Sequence, residues 1–411
     1  MQATVSKTQK ADTQGGFRPG IVAGASANDP TTVGSLAVVG ATTVYGLAWL
    51  AIAILPMLAI TQTIAGSVGA VTRTSLQSAI ARRYGLALGL VSLASVVAVN
   101  LLTTMADVEA GGRALAMLFH VPYAALVTLF VLVICVVLMT HSFSRVVSLL
   151  TFLPILFLAY GISALLAHPN WWEVLHSIVM PHVQLSPLYV GGALALVGTT
   201  ITSYEYLWES IEVSEAQTGD SQLSALRRDA VLGVLVAGAG FLFVIIATGA
   251  TLGMHHLPIE TTDDAARALT PLAGRWAGIL FGIGLFGSAA LTVPILASST
   301  AYAVAHTFGW NGTLGARVAE APRFYSIIVL SLVVAAAGAF LGLPPIRLLF
   351  WASIAGGLGT PITLVLMNCV ARSQRIMGMD RISMRLSVAG WTVTALVTLA
   401  CVAFLFSFVR L

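Results

Sequence analysis

The chain has 411 residues, 58% of them hydrophobic and only 9% charged, with a formal net charge of +4 and a mean hydropathy of +0.93. Soluble domains carry about 25% charged residues, so this composition excludes a water-soluble protein. The pI of about 9.1 suggests an acidic partner such as nucleic acid, a reading that the placement of the charges removes.

A polar tail, residues 1–17, opens the chain and lacks the short apolar core of a cleavable leader, so the first span is expected to persist in the mature protein. Eleven apolar runs follow, each near the ~20 residues that cross a bilayer core. They lie at about 20–40, 45–69, 86–113, 122–140, 147–167, 188–212, 229–253, 276–306, 324–342, 347–371 and 388–409. Residues 18–411 therefore read as one all-α integral membrane domain: spans 1–5 over about 18–167, spans 6–10 over about 188–371, and span 11 over about 388–409. With the N-terminus in the cytoplasm, fifteen of the 20 Lys and Arg fall in cytoplasmic segments; only Arg113, Arg267, Arg275, Arg347 and Arg410 fall outside. This is the positive-inside bias. It accounts for the basic pI by topology, without nucleic acid, and puts the C-terminus outside a cell (inner) membrane.

Ionisable residues within spans are costly and mark sites or pathways. The first is Asp29, in "GASANDPTTVGSLAVVGA" (24–41). Pro30 has no N–H and disfavours helix in the residue before it, so the span should break at 28–30. The freed backbone groups must then face protein, water or an ion. Asn28, Thr31 and Thr32 add oxygen donors beside the carboxylate, a set that suits hard cations. A plain helix cap by Asp29 is the competing reading. Asp107 and Glu109 follow in the third span. In the sixth, "GGALALVGTTITSYEYLWESIEVSE" (191–215) puts Thr199, Thr200, Thr202 and Ser203 where they weaken a helix. Glu205, Glu209 and Glu212 then recur at i, i+4 and i+7 on one face. Glu205 and Glu209 are candidates for a proton or ion pathway, whereas Glu212 and Glu215 read as the solvated end of the helix. Two broken spans five apart point to inverted repeats with a site between the breaks.

Elsewhere the chemistry is sparse. Cys135, Cys369 and Cys401 lie in apolar spans and read as small buried hydrophobes. The adjacent His255 and His256 make a poor chelate. Within the spans no His/Cys cluster or nucleophile–base pair occurs, so neither an enzyme nor a bound cofactor is expected.

The motifs together carry a family resemblance. "RPGIVAGASANDPTTV" (18–33), "VGTTITSYEYLWE" (197–209), 271–310 and "FLGLPPIRLLFWASIAGGLGTP" (340–361) resemble the first, sixth, eighth and ninth-to-tenth spans of the Nramp family of divalent-metal transporters. The similarity is greater to its divergent bacterial branch, the Nramp-related magnesium transporters, and covers about residues 18–405. It implies an inverted 5+5 repeat of the amino acid–polyamine–organocation transporter type, with the eleventh span added.

By position, the resemblance makes Asp29 the metal-binding Asp and puts Thr32 where the family has a ligand Asn. Thr199 and Thr202 take the places of a carbonyl donor and a thioether. Tyr204 replaces the family histidine, and Asp107 matches a proton-accepting Asp. In the tenth span Ser353 falls near a family glutamine, and Gly356 replaces the divergent branch's asparagine. The metal set is thus Asn28, Asp29, Thr32, Thr199, Thr202, Ser353 and Gly356. Met180-Pro181-His182, in the loop before the sixth span, imitates the family's Met-Pro-His but lies in the wrong place. Loss of the thioether removes a preference for soft metals, so the resemblance implies uptake of Mg²⁺ or Mn²⁺ by a monomer in the bilayer, with weak or absent proton coupling. The alternative is a Na⁺- or proton-coupled symporter of a small organic solute on the same fold.

Overall fold

The computed structural model describes residues 29–119, 121–140, 162, 164–166, 168–181, 183–184, 186–215, 223–255, 259 and 275–409. The N-terminal tail, Asn28 and most of the fifth span lie outside the described residues. In chain order the helices are α1 (Pro30–Thr43), α2 (Ala48–Thr72), α3 (Leu76–Phe119), α4 (Tyr123–Thr140), α5 (Trp171–Val179), α6 (Pro187–Thr200) and α7 (Ser203–Glu215). They continue with α8 (Leu223–Thr248), α9 (Arg275–Phe308), α10 (Pro322–Ala339), α11 (Pro345–Ala371), α12 (Gln374–Met377) and α13 (Met384–Val409). Among the described residues no strand is present.

Eight of the eleven expected spans are continuous helices long and apolar enough to cross a membrane, the seventh ending in a π-helical turn, Gly249–Gly253, after α8. They are the second to fourth and the seventh to eleventh. Each of the other three has a particular reason. The first is described only from its break onward, as 14-residue α1; most of the fifth lies outside the described residues. The sixth is cut into α6 and α7, of 14 and 13 residues. The third span is overrun by its helix, which begins ten residues early and turns at Gly85 (φ 81°, ψ 176°). Only glycine adopts that backbone at low cost.

The packing sorts the spans into two groups. α9 lies along α3, which also packs against α4 and α10, so spans 3, 4, 8 and 9 form one body. α6 and α8 each pack on both α1 and α2, and α7 lies on α2, so spans 1, 2, 6 and 7 form the other. Each group takes equivalent members from spans 1–5 and 6–10, the arrangement an inverted repeat produces. α11 lies against both groups, touching α3, α1 and α6, and closes the space around the breaks.

Close backbone approach at the centre depends on absent side chains. A Cβ on Gly198 of α6 would lie 2.2 Å from the Ser353 carbonyl oxygen and 2.4 Å from the Gly357 nitrogen. A Cβ on Gly34 of α1 would lie 2.5 Å from a Leu349 methyl. Small residues permit this kind of contact between helices in membranes.

Candidate functional site

The first break is built by the Asp-Pro pair. Asp29 has extended backbone (φ −63°, ψ 164°), and Pro30 occupies the first helical turn, where its missing N–H is not needed and its fixed φ suits the helix. The cap reading and the site reading of Asp29 prove compatible. One carboxylate oxygen accepts the Thr32 N–H and caps α1. The other points across to the second break and accepts the Tyr204 hydroxyl at 3.0 Å. The Thr31 N–H goes to Asp107 Oδ1 at 3.0 Å, and the Thr31 hydroxyl donates to the same oxygen at 2.6 Å. Thr292 of α9 donates to Asp107 Oδ2 at 3.0 Å. Two carboxylates therefore stand at the N-terminus of α1, where the helix dipole favours negative charge. Both are fully buried.

The second break leaves Ile201 and Thr202 between α6 and α7. The freed Ile201 carbonyl accepts the Thr360 hydroxyl of α11 at 3.0 Å, and the Ile201 N–H goes back to Val197 at 2.9 Å. Thr202 is buried, and its Oγ1 has no hydrogen-bond partner. A buried hydroxyl without a partner calls for an explanation, and an absent ligand is one.

Helices α1, α6 and α11 meet around these breaks through hydroxyl contacts. Thr32 Oγ1 lies 2.7 Å from Thr199 Oγ1, and Ser35 Oγ lies 2.6 Å from Ser353 Oγ. Ser353 also reaches the Leu349 carbonyl at 3.0 Å. Gly356 supplies no side chain; a Cβ there would sit 2.8 Å from the Gly198 carbonyl oxygen, so its part is to let α6 and α11 approach closely beside Thr202. The structure thus brings Asp29, Thr32, Thr199, Thr202, Ser353 and Gly356 together. Asn28 lies outside the described residues.

Other sequence candidates separate from this centre. Glu205 and Glu209 descend α7 and are buried. Glu212 is also fully buried, correcting its reading as a solvated helix end: α7 is enclosed by α2, α3 and α9. Glu109 pairs with Arg113 one turn away at 3.0 Å, and that guanidinium lies 4.3 Å from the Tyr123 ring centroid, a structural role. Met180 is exposed and stands outside the centre, as expected of a misplaced motif. Sequence reasoning missed Thr292 and did not assign Tyr204 to the site. A hydroxyl series on an apolar span, with Ser288 and Thr292 one turn apart, was the available signal for the first.

With Asp107 already bonded to Thr31 and Thr292, the donors left around the breaks are the Asp29 carboxylate, hydroxyls and a phenol. Among the described residues no group of three or more His, Cys, Asp or Glu side chains is placed to hold a metal. An ion here would meet a single full charge and neutral oxygens.

Comparisons with known proteins bear on the family and the fold. A model of the natural resistance-associated macrophage protein-like (Nramp) family matches residues 20–407. A divalent metal cation transporter MntH from Mycobacterium tuberculosis is 26% identical over 394 residues, 93% of this chain and 89% of the relative. An MntH from Caldanaerobacter subterraneus is 22% identical over 286 residues, covering 67% of this chain and less than two thirds (65%) of the relative's length. A crystal structure of the Eremococcus coleocola manganese transporter superposes with a TM-score of 0.76 at 17% identity, covering 96% of this chain and 88% of that one.

Proposed function

Because the chain belongs to the Nramp family, we propose that it carries a divalent metal cation, Mg²⁺ or Mn²⁺, across the cell membrane by alternating access. In this reading Asp29 is the charged ligand at the breaks of the first and sixth spans. The observation that carries it is the buried carboxylate of Asp29 facing a break where Thr202 Oγ1 has no partner. The M. tuberculosis relative bears the name of a divalent metal cation transporter, and the E. coleocola neighbour that of a manganese transporter. The choice of ion rests on the donor set. Mg²⁺ and Mn²⁺ favour oxygen donors, and Mg²⁺ keeps several of its waters. Those waters present hydrogens outward, which hydroxyl oxygens accept.

The test of the ion assignment is Thr202→Met. Sulfur binds soft ions better than a hydroxyl does, and the longer side chain fills the space a hydrated ion needs. The ratio of Cd²⁺ to Mg²⁺ uptake in proteoliposomes should rise roughly tenfold, equivalent to about 1.4 kcal/mol, even where total activity falls. An unchanged ratio in folded protein means that Thr202 does not face the ion.

Proton coupling is proposed to be weak or absent. A phenol occupies the position of the family histidine, and phenols ordinarily ionise near pH 10, so Tyr204 does not exchange protons near neutrality. Its hydroxyl instead donates to Asp29. A pH-sensitive dye trapped in proteoliposomes should register no Mn²⁺-driven acidification. Acidification that disappears in Asp107→Asn would identify Asp107 as a proton carrier and overturn this part of the reading.

A further inference from the structure

Between α2 and α7 lies a second polar locus with no counterpart in the arrangement around the breaks. Both atoms of the Gln62 carboxamide and both oxygens of Glu205 lack hydrogen-bond partners. Gln62 is 1% exposed and Glu205 2%. Buried polar groups in native proteins are almost always satisfied, and a buried carboxylate with neither donor nor cation is among the costliest exceptions.

The helix register places these groups together. α2 and α7 both run toward the side expected to face the cytoplasm. A Cβ on Gly66 would lie 3.3 Å from Glu209 Oε1, and one on Gly69 would lie 2.3 Å from the Ser210 carbonyl oxygen. The Leu76 N–H donates to Ser210 Oγ at 2.9 Å. The Gly66–Gly69 face of α2 is therefore the face that meets α7. Gln62 stands one turn before Gly66 on this face, as Glu205 stands one turn before Glu209. Gln62 is thus placed on the face of α2 that meets α7, at the level of Glu205 and Glu209. Glu212 continues the row one turn further in and is fully buried.

From this we infer that Gln62, Glu205 and Glu209 form a second, inner binding site for the transported divalent cation, which holds it after release from Asp29. The inference rests on the proposed transport function. Its donors are a carboxamide oxygen and two carboxylates, the oxygen ligands that hard cations take. Glu205 lies immediately after Tyr204, whose hydroxyl holds Asp29, so α7 leads directly from the first site to the second. An ion arriving here satisfies the groups that have no partner in its absence. It also gains a second carboxylate, which favours its leaving the single charge of Asp29.

Equilibrium Mn²⁺ binding to the purified full-length protein in detergent, read by the loss of free Mn²⁺ signal in electron paramagnetic resonance, tests this. The wild type should bind at two classes of site. Glu205→Gln and Gln62→Leu should each weaken one class at least tenfold and leave the other unchanged, and Asp29→Asn should do the converse. A single class in the wild type overturns the inference, as does survival of both classes in the two inner-site variants. Gln62→Leu adds no polar group to the core and decides the matter if Glu205→Gln does not fold. Persistence of both classes in Asp29→Asn would instead refute the assignment of Asp29, while the inner-site variants still judge the second site.

Discussion

Asp29→Ala is expected to reduce Mn²⁺ uptake in proteoliposomes by more than about a hundredfold while leaving the protein folded and inserted. Removing one partner of a buried charge pair costs about 3–5 kcal/mol, and 1.4 kcal/mol is a factor of ten. At this site no second carboxylate compensates. Asp107 is engaged by the Thr31 N–H and the hydroxyls of Thr31 and Thr292. The same substitution removes the cap on α1, a loss of about 1 kcal/mol, which is small beside the packing of α1 against α6, α8 and α11. Asp29→Asn keeps an oxygen for the Thr32 N–H and separates the two effects. If the Asn variant retains the cap but loses uptake, the charge is responsible. Uptake near the wild-type rate in both variants would place the ion elsewhere.

The second large effect is steric. Gly198→Val should eliminate uptake and lower the yield of monodisperse protein on size-exclusion chromatography. The added Cβ meets the Ser353 carbonyl oxygen and the Gly357 nitrogen at 2.2 and 2.4 Å. Both are main-chain atoms of α11, so no rotamer change relieves the clash. Overpacking a core costs about 1–3 kcal/mol where side chains can yield, and here the helix itself has to move. Moving α6 carries Thr199 away from Thr32. Gly191→Ala in the same helix is the control, because its Cβ meets only the Phe404 ring, at 3.6 Å. It should behave as wild type. Wild-type yield and uptake in Gly198→Val would mean that α6 and α11 do not cross as closely as the structure shows.

The fold was legible in the sequence wherever a single local rule decided it. Apolar length gives the second to fourth and seventh to eleventh spans, and the Asp29-Pro30 pair fixes the first break, because proline's effects act on its immediate neighbours. The hydroxyl-rich 199–203 segment located the second break to within two residues. What depends on partners far along the chain was not legible. The Ser288–Thr292 hydroxyl pair marks a polar stripe on an apolar span, but it does not name Asp107, 185 residues away, as the partner. The burial of Glu212 was misread for the same reason: its i, i+4, i+7 spacing describes a face, and only the position of α2 shows that this face is covered. Glu109 resembled a site residue until Arg113, one turn along, proved to hold it.

The side-chain contacts that join α1 to α6 and α11 are hydroxyl to hydroxyl, Thr32 with Thr199 and Ser35 with Ser353. An internal hydrogen bond of this kind exceeds its replacement by water by only about 0.5–1.5 kcal/mol. Each hydroxyl can turn about its own C–O bond to take a water molecule as soon as one reaches it. Solvent is therefore a lubricant for this seam: wetting it from either face loosens the contacts at little enthalpic expense, and drying it restores them. In the alternating access proposed above, the resistance to opening would then come from the apolar side chains that keep water out, such as Leu349 against Gly34, and not from the polar contacts themselves.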